Sequence, residues 1–345
     1  VMTPVLVGLP FLSILLCLLV IRLGVKDAPD GGRKTQKAPV PTAGGIAIFA
    51  TLALGLFLTG DLPNLPGNGL PALMLFVLSS VIIGFFDDTV GLNPKLKLVL
   101  LALVSLLAAI FGPRLGHFHL PFGPGEGYGL PVWFSVAGVT LWLFVLANAT
   151  NFMDGANGLA MGSAMLMLAA FAILLSWLAM QDPGTGVEMA MSHMTAMTAA
   201  AISGFLVWNL SGRLFAGDTG SLGVGALLGA AGLVVACRLT VWEPVVLTLP
   251  FLVDVFMTLL WRARAGRNLF DAHRDHAYQL FLRAGWSHKR VAALWVGMTL
   301  VCGAGLLGLG PLWGAQVIFV LLALGIGLWT WQRVTLGRKL AADGL

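Results

Sequence analysis

Uninterrupted apolar stretches, each close to the 20 or so residues that a helix needs to cross a bilayer, recur along almost the whole chain. Eleven are legible: residues 4–23, 42–59, 69–86, 96–112, 130–147, 159–179, 190–208, 220–238, 244–261, 290–309 and 313–331. They are continuous blocks rather than the short alternating segments of a membrane barrel, so they predict helices. The expected fold is all-α: a polytopic membrane protein, a bundle of about 11 transmembrane helices joined by short polar loops. These runs leave no room for a separate soluble domain, and residues 1–345 read as one integral-membrane domain.

Composition agrees. Of 345 residues, 58% are hydrophobic and 10% charged, against about a quarter charged in an ordinary soluble domain. The few charges are sorted by side. Taking the loops alternately, 18 of the 20 Lys and Arg fall on one side, in the loops beginning at residues 24, 87, 148, 209 and 262 and in the C-terminal tail; only Arg114 and Arg238 fall on the other. Short cytoplasmic loops retain basic residues, so the expected orientation has the N-terminus outside and the C-terminus cytoplasmic. The first run lacks a basic start and a small-residue cleavage site and reads as a retained helix. Cys17, Cys237 and Cys302 fall inside the runs without metal-ligand spacing and read as small core residues. The partner implied so far is the lipid bilayer; no nucleic acid is expected.

Acidic residues contribute little to orientation, so their placement is separate information. Nine of the fifteen lie in the cytoplasmic loops and tail. Asp87 and Asp88 end the third run, Asp154 lies in Asn148-Ala-Thr-Asn-Phe-Met-Asp-Gly-Ala-Asn-Gly158, and Asp218 in Gly217-Asp-Thr-Gly-Ser-Leu-Gly223. Three acidic turns on one face can converge, and carboxylate and amide oxygens are what a hard cation such as Mg²⁺ prefers. Lys95, Lys97, Arg213 and a last cytoplasmic loop with seven Arg or Lys suit an anionic substrate. In that loop His273 and His276, three apart amid arginine, suit a diphosphate better than zinc, which wants closer ligand partners. Gly220-Ser-Leu-Gly-Val-Gly225 offers either backbone amides to a phosphate at a helix N-terminus or, with Gly229, a small-residue packing face. Gly44 and Gly45 read as a close helix approach. Asp254 alone lies deep in a run, where a bare charge costs about 2.5 to 3.5 kcal/mol; it needs a partner or a proton.

In order along the chain stand Arg33-Lys with Pro39-Val-Pro-Thr-Ala-Gly-Gly45, Asp87-Asp88, Asn148 to Leu159, Gly217 to Leu222 and the His loop. The pattern resembles the polyprenyl-phosphate N-acetylhexosamine-1-phosphate transferases, glycosyltransferase family 4, over nearly the whole chain. The resemblance implies a bundle of ten or eleven helices with cytoplasmic active-site loops. It also implies a reaction in which a lipid phosphate attacks the β-phosphate of a UDP-N-acetylhexosamine, releasing UMP. The implied acceptor is undecaprenyl phosphate and the implied cofactor Mg²⁺, with Mn²⁺ as substitute; a second copy of the chain is a candidate partner. By the same matching Asp218 is the main metal ligand, helped by Asn151 and Asp88, and Asp87 or Asp88 deprotonates or orients the lipid phosphate. Lys97 meets the lipid phosphate, Asp154 the nucleotide, and His273, Arg274 and His276 the diphosphate, with Asn148 and Asn151 also substrate-binding.

Two departures narrow the branch. Gln36 stands where the family usually has a histidine, and the last loop reads His273-Arg-Asp-His276 instead of closely spaced histidines. That is similar to enzymes starting O-antigen or other surface-glycan synthesis with GlcNAc or deoxy amino sugars such as FucNAc and QuiNAc, rather than to the phospho-N-acetylmuramoyl-pentapeptide transferases. The rival from another class is a proton-coupled transporter working through Asp254, against which stand the clustering of polar motifs at one face and the lack of an inverted repeat. The closely spaced aspartate signature of the CDP-alcohol transferases is absent.

Overall fold

The computed structural model describes residues 2–23, 26–27, 40–61, 69–120, 127–182, 186–268, 273–309 and 311–342. In chain order the described residues form α1 (Met2–Leu23), β1 (Lys26–Asp27), β2 (Val40–Pro41), α2 (Gly44–Thr59), α3 (Leu70–Val90), α4 (Pro94–Phe111), β3 (His117–Phe118), β4 (Tyr128–Gly129), α5 (Val132–Met153), α6 (Leu159–Gln181), α7 (Val187–Asn209), α8 (Gly217–Arg238), α9 (Trp242–Arg264), α10 (Ala277–Arg283), α11 (His288–Leu309) and α12 (Pro311–Ala342). The strands make two antiparallel pairs, β1 with β2 and β3 with β4. Among the described residues ten helices are long and apolar enough to span a membrane, and α2 is a shorter apolar helix. These are the eleven runs of the sequence; α10 corresponds to none of them. Several helices outrun their apolar stretch, so that Asp87 and Asp88 belong to the last turns of α3.

Helix α8 sits at the centre because its sequence has almost no bulk on any side. From Thr219 to Val235 every residue is buried, as expected for a helix apolar all round. Its glycines face other helices closely: Gly223 lies against Phe49 and Val81, Gly225 against the carbonyl of Leu146, and Gly229 against Leu143. The small-residue face read from Gly225 and Gly229 is thus a packing face with α5. Around α8 stand α3, α5, α2, α6, α7 and α9, while α1, α4, α11 and α12 turn residues such as Phe11, Val99, Leu300 and Leu324 outward, as lipid permits. Many buried hydroxyls are satisfied within their own helices: Thr51, Ser80, Ser105, Thr198 and Thr299 each donate to the carbonyl four residues back, which pairs these polar atoms without water.

Two expectations meet different outcomes. Cys17 and Cys302 are buried, but Cys237 is exposed: it lies in the last turn of α8, where the bundle thins, with its Sγ 3.6 Å from the carbonyl of Arg114. Gln36, with Arg33, Lys34 and Pro39, lies outside the described residues.

Candidate active site

The corner between α3 and α4 is built by capping. Gly91, at φ +75°, ends α3 in the left-handed conformation that suits glycine. Asn93 then caps α4 by accepting from the Lys95 amide at 2.9 Å, with Pro94 opening the helix. Lys97 falls in the first turn of α4, and its Nζ donates to Asp87 Oδ2 at 2.7 Å and to Asp218 Oδ2 at 2.6 Å. The other oxygen of Asp87 accepts from the Leu92 amide at 2.8 Å. Two carboxylates from helices 131 positions apart in sequence therefore share one ammonium.

Asp88 has the opposite fate. Successive helix residues are turned by about 100°, so the pair cannot point one way. Asp88 Oδ1 accepts the Asp218 amide at 2.8 Å, while Oδ2 accepts the Thr219 amide at 2.9 Å and the Thr219 hydroxyl at 2.6 Å. It is the cap of α8, whose own N-cap residue, Ala216, has no hydrogen-bonding side chain to offer. Gly84, one turn earlier, lets α3 approach the Asp218 and Thr219 backbone. From the other side the Phe215 amide donates to Pro41 O at 2.9 Å, and the Gly44 and Gly45 amides donate to Phe215 O and Ala216 O at 3.0 and 2.8 Å. The amides of Asp218, Thr219 and Gly220 are all engaged, so the glycine run serves packing and not a phosphate cradle.

Helix α5 contributes from a third direction. Asn151 Nδ2 donates to Asp218 Oδ1 and to Ser221 Oγ, both at 2.8 Å. Asn148, one turn back, bonds its own helix at the Phe144 carbonyl, 2.8 Å, and is buried. Asp154 lies just past the helix. Burial first, then the negative charges of Asp218 and Asp88, push its carboxyl well above the ordinary carboxylate range. The rest of this turn is anchored by Gly158 N to Asn209 Oδ1 at 2.7 Å and Asn157 N to His288 Nδ1 at 3.2 Å.

The segment around His273 closes the same end. Helix α10 begins at Ala277, and His276 is 3% exposed, its ring stacked near Phe152 and Tyr278 with centroids 5.9 and 6.0 Å away. His276 is therefore packed inward, while His273, 5.0 Å from it, and Arg274 remain partly exposed. Asp275 is clamped by Arg262 and, at 3.4 Å, by Arg267; Arg333 donates to its carbonyl at 2.8 Å and lies over the Trp261 ring. Tyr278 Oη donates to the Phe152 carbonyl at 3.0 Å, tying this segment to the end of α5 that bears Asn151. The sequence reading missed α10, the Arg262 clamp and the His288 anchor; a basic residue at the end of a span paired with an acid a dozen positions on is the only pattern that hints at the clamp.

The donor set suits a divalent cation. Asp87 and Asp218 already converge on one positive charge, and Asn151 adjoins Asp218. Among the described residues no three acidic, His or Cys groups cluster as a closed metal cage, and Mg²⁺ does not need one: it takes one or two carboxylates and completes its octahedron with water and substrate phosphate. Asp218, Asp87 and Asn151 would hold it. Asp88, expected among the ligands, has both oxygens committed to α8.

A family model described as Glycosyl transferase family 4 matches residues 70–236, the stretch carrying Asp87, Asp88, Lys97, Asn151, Asp154 and Asp218. A phospho-N-acetylmuramoyl-pentapeptide-transferase of Mycobacterium avium is 31% identical over 341 residues, covering 85% of this chain and 92% of that protein. The chain belongs to glycosyl transferase family 4. It is also 28% identical over 308 residues to a decaprenyl-phosphate N-acetylglucosaminephosphotransferase of Mycobacterium tuberculosis, covering 81% of the chain and 75% of that protein. A protein of the same name from Mycolicibacterium smegmatis is 27% identical over 335 residues, with 89% and 82% covered. The protein is thus a multi-pass membrane enzyme that transfers a phospho-sugar. Overall similarity does not separate the two kinds of relative. With Asp254 engaged inside the fold, by the Ala277 amide at 2.8 Å, the transporter reading loses the free intramembrane charge that prompted it.

Proposed function

We propose that this enzyme transfers an N-acetylhexosamine-1-phosphate from a UDP-sugar to undecaprenyl phosphate, releasing UMP, at the cytoplasmic face of a bacterial membrane. The observation that carries the proposal is the meeting of Asp87, Asp218 and Lys97 at the end of the bundle that also carries His273 and Arg274. Phosphoryl transfer asks mainly for positioning and charge neutralisation, and this end offers both signs of charge within a few ångströms. A bound Mg²⁺ would supply charge neutralisation at the diphosphate. Lys97 lies on α4, whose Leu96 and Val99 are exposed, a placement that suits a phosphate on a lipid tail. Asp87 is better suited to orienting that phosphate, through Lys97, than to deprotonating it, because a phosphate monoester with a second pKa of about 6 is already largely ionised at pH 7. His273 and Arg274 serve the diphosphate of the bound donor, whose leaving group is UMP, and Asp154 the nucleotide side.

The donor favoured is one without a peptide, GlcNAc or a deoxy amino sugar, serving O-antigen or another envelope glycan, on the strength of His273-Arg-Asp-His276. The M. avium relative favours a second reading, a muramoyl-pentapeptide donor. Purified enzyme with Mg²⁺ and undecaprenyl phosphate, offered a panel of UDP-sugars that includes UDP-GlcNAc and UDP-MurNAc-pentapeptide, is expected to release UMP with a peptide-free donor and to accept Mn²⁺ in place of Mg²⁺. Release from the pentapeptide donor alone would move the enzyme to the second reading, and silence across the panel would remove the proposal.

A further inference from the structure

Asp254 is 2% exposed in the middle of a membrane helix, eight residues or about 12 Å of helix before Arg262, and nothing in the transfer chemistry above uses it. Both of its oxygens nevertheless meet donors. Oδ1 accepts the Ala277 amide at 2.8 Å and the Thr258 hydroxyl at 3.2 Å, and lies 3.4 Å from His276 Nδ1; Oδ2 faces the Tyr278 amide at 3.4 Å. Those amides are the first two of α10, orphan donors that a short helix buried in apolar surroundings cannot leave bare. The helix that follows the His segment is thus capped by a carboxylate 23 residues earlier, on α9.

We infer that Asp254 is a positioning residue of the transferase, which sets the donor-binding segment His273–Arg274 against the Asp218 corner by holding the start of α10. The inference rests on the proposed function for what those two side chains bind. The connection is continuous: Asp254 fixes Ala277 and Tyr278; Tyr278 Oη donates to the Phe152 carbonyl at 3.0 Å; and the neighbouring Asn151 holds Asp218. From the other side Gln332 Nε2 donates to the Ala277 carbonyl at 3.1 Å, so α10 is pinned at one point by α9 and α12 together. Asp218 itself is held by Asp88 and Lys97, which do not involve Asp254. Loss of Asp254 should therefore disturb donor binding more than the acidic corner.

The test compares wild type, Asp254→Asn and Asp254→Glu in detergent or nanodiscs. One readout is hydrogen exchange at the Ala277 and Tyr278 amides; the other is the steady-state response to the UDP-sugar and to Mg²⁺. Asp254→Asn is expected to speed exchange at those amides and to raise the donor KM by about tenfold, the loss of one charge-assisted hydrogen bond. The change in kcat should be smaller and the Mg²⁺ requirement unmoved, and Asp254→Glu should recover part of the KM. Should Asp254→Asn fail to fold, Tyr278→Phe cuts the link to Phe152 without touching α9 and is expected to raise the donor KM by a smaller factor. A folded Asp254→Asn protein with wild-type exchange at 277–278, or one that loses kcat with donor KM unchanged, would overturn the assignment. A wild-type enzyme that turns over no UDP-sugar would overturn the proposed function instead, and the exchange measurement would still decide whether Asp254 holds α10.

Discussion

The acidic corner and the His segment lie at one end of the bundle and differ in construction: the corner adds to the polar bridges of Asp88, Lys97 and Asn151 a set of close backbone contacts. At the corner, backbones touch: Gly45 lies on Gly220, Gly84 on the start of α8, and Gly217 beside Thr42 and Asp88. At the His segment, side chains reach across the space between backbones: Asp254 to α10, Arg262 to Asp275, Tyr278 to Phe152. A corner made of glycine contacts is fixed by the absence of atoms, and fails when a methyl is added. A segment made of polar bridges is fixed by particular groups, and fails when one is removed. Such a division suits the proposed phosphoryl transfer, in which the carboxylates proposed to hold the metal would stay fixed while the donor enters and the nucleotide product leaves.

The largest effect expected at the corner is chemical. Asp218→Asn keeps the shape and the contact with Asn151 but removes half of the charge that faces Lys97. We expect a loss of about 10³-fold or more in kcat/KM, on the order of 4 kcal/mol of transition-state stabilisation, in a protein that inserts and unfolds like wild type. Near-normal turnover would remove the corner as the metal-binding side of the site.

A smaller and more discriminating effect separates the two adjacent aspartates. Asp88→Asn replaces a charged cap with a neutral one over the Asp218 and Thr219 amides, and hydrogen bonds to a charged group are worth about 1.5 to 3 kcal/mol. Its thermal unfolding in detergent should shift down. Asp87→Asn should shift unfolding less and lower turnover at saturating donor, because Asp87 meets the Leu92 amide, Lys97 and the Asp218 carboxyl instead of the amides that start α8. Equal unfolding shifts in the two variants would contradict the division of roles.

The sequence made the bundle legible because bilayer thickness dictates the length of each apolar run. It did not make the helix ends legible: hydrogen-bonded backbone continues past the apolar stretch, which is how Asp87 and Asp88 come to lie inside α3. Convergence of the Asp87, Asn151 and Asp218 turns could be argued from their shared side. Which of Asp87 and Asp88 faces Lys97 depends on helix phase and on where α8 docks, and neither is written locally. The same holds for Asn148, which turns to Phe144 while Asn151 one turn on meets Asp218. Helix α10 was beyond reach for a different reason. It has seven residues, too few to show a period, and the group that stabilises its start lies on another helix. That Asp254 needed a partner was visible; that the partner was backbone amide was not.

The contrast between the regions can be pressed with a single methyl group. A Cβ built on Gly45 would collide with the N and Cα of Gly220, and backbone on both sides leaves no flexible side chain to give way. Gly45→Ala is expected to cost about 1 to 3 kcal/mol, as overpacking does elsewhere. Because the Gly45 amide also holds the Ala216 carbonyl ahead of Asp218, turnover should fall with stability. Gly297, in α11, has nothing within 4 Å of the same added atom, so Gly297→Ala removes only the helical penalty of glycine and is expected to stabilise by up to about 1 kcal/mol with turnover unchanged. Unfolding midpoints and activities of the two variants, read side by side, distinguish a corner set by backbone contact from one that merely happens to contain glycine. If Gly45→Ala behaved like Gly297→Ala, α2 and α8 would have room to spare and the geometry of Asp218 would have to be fixed by Asp88 and Asn151 alone.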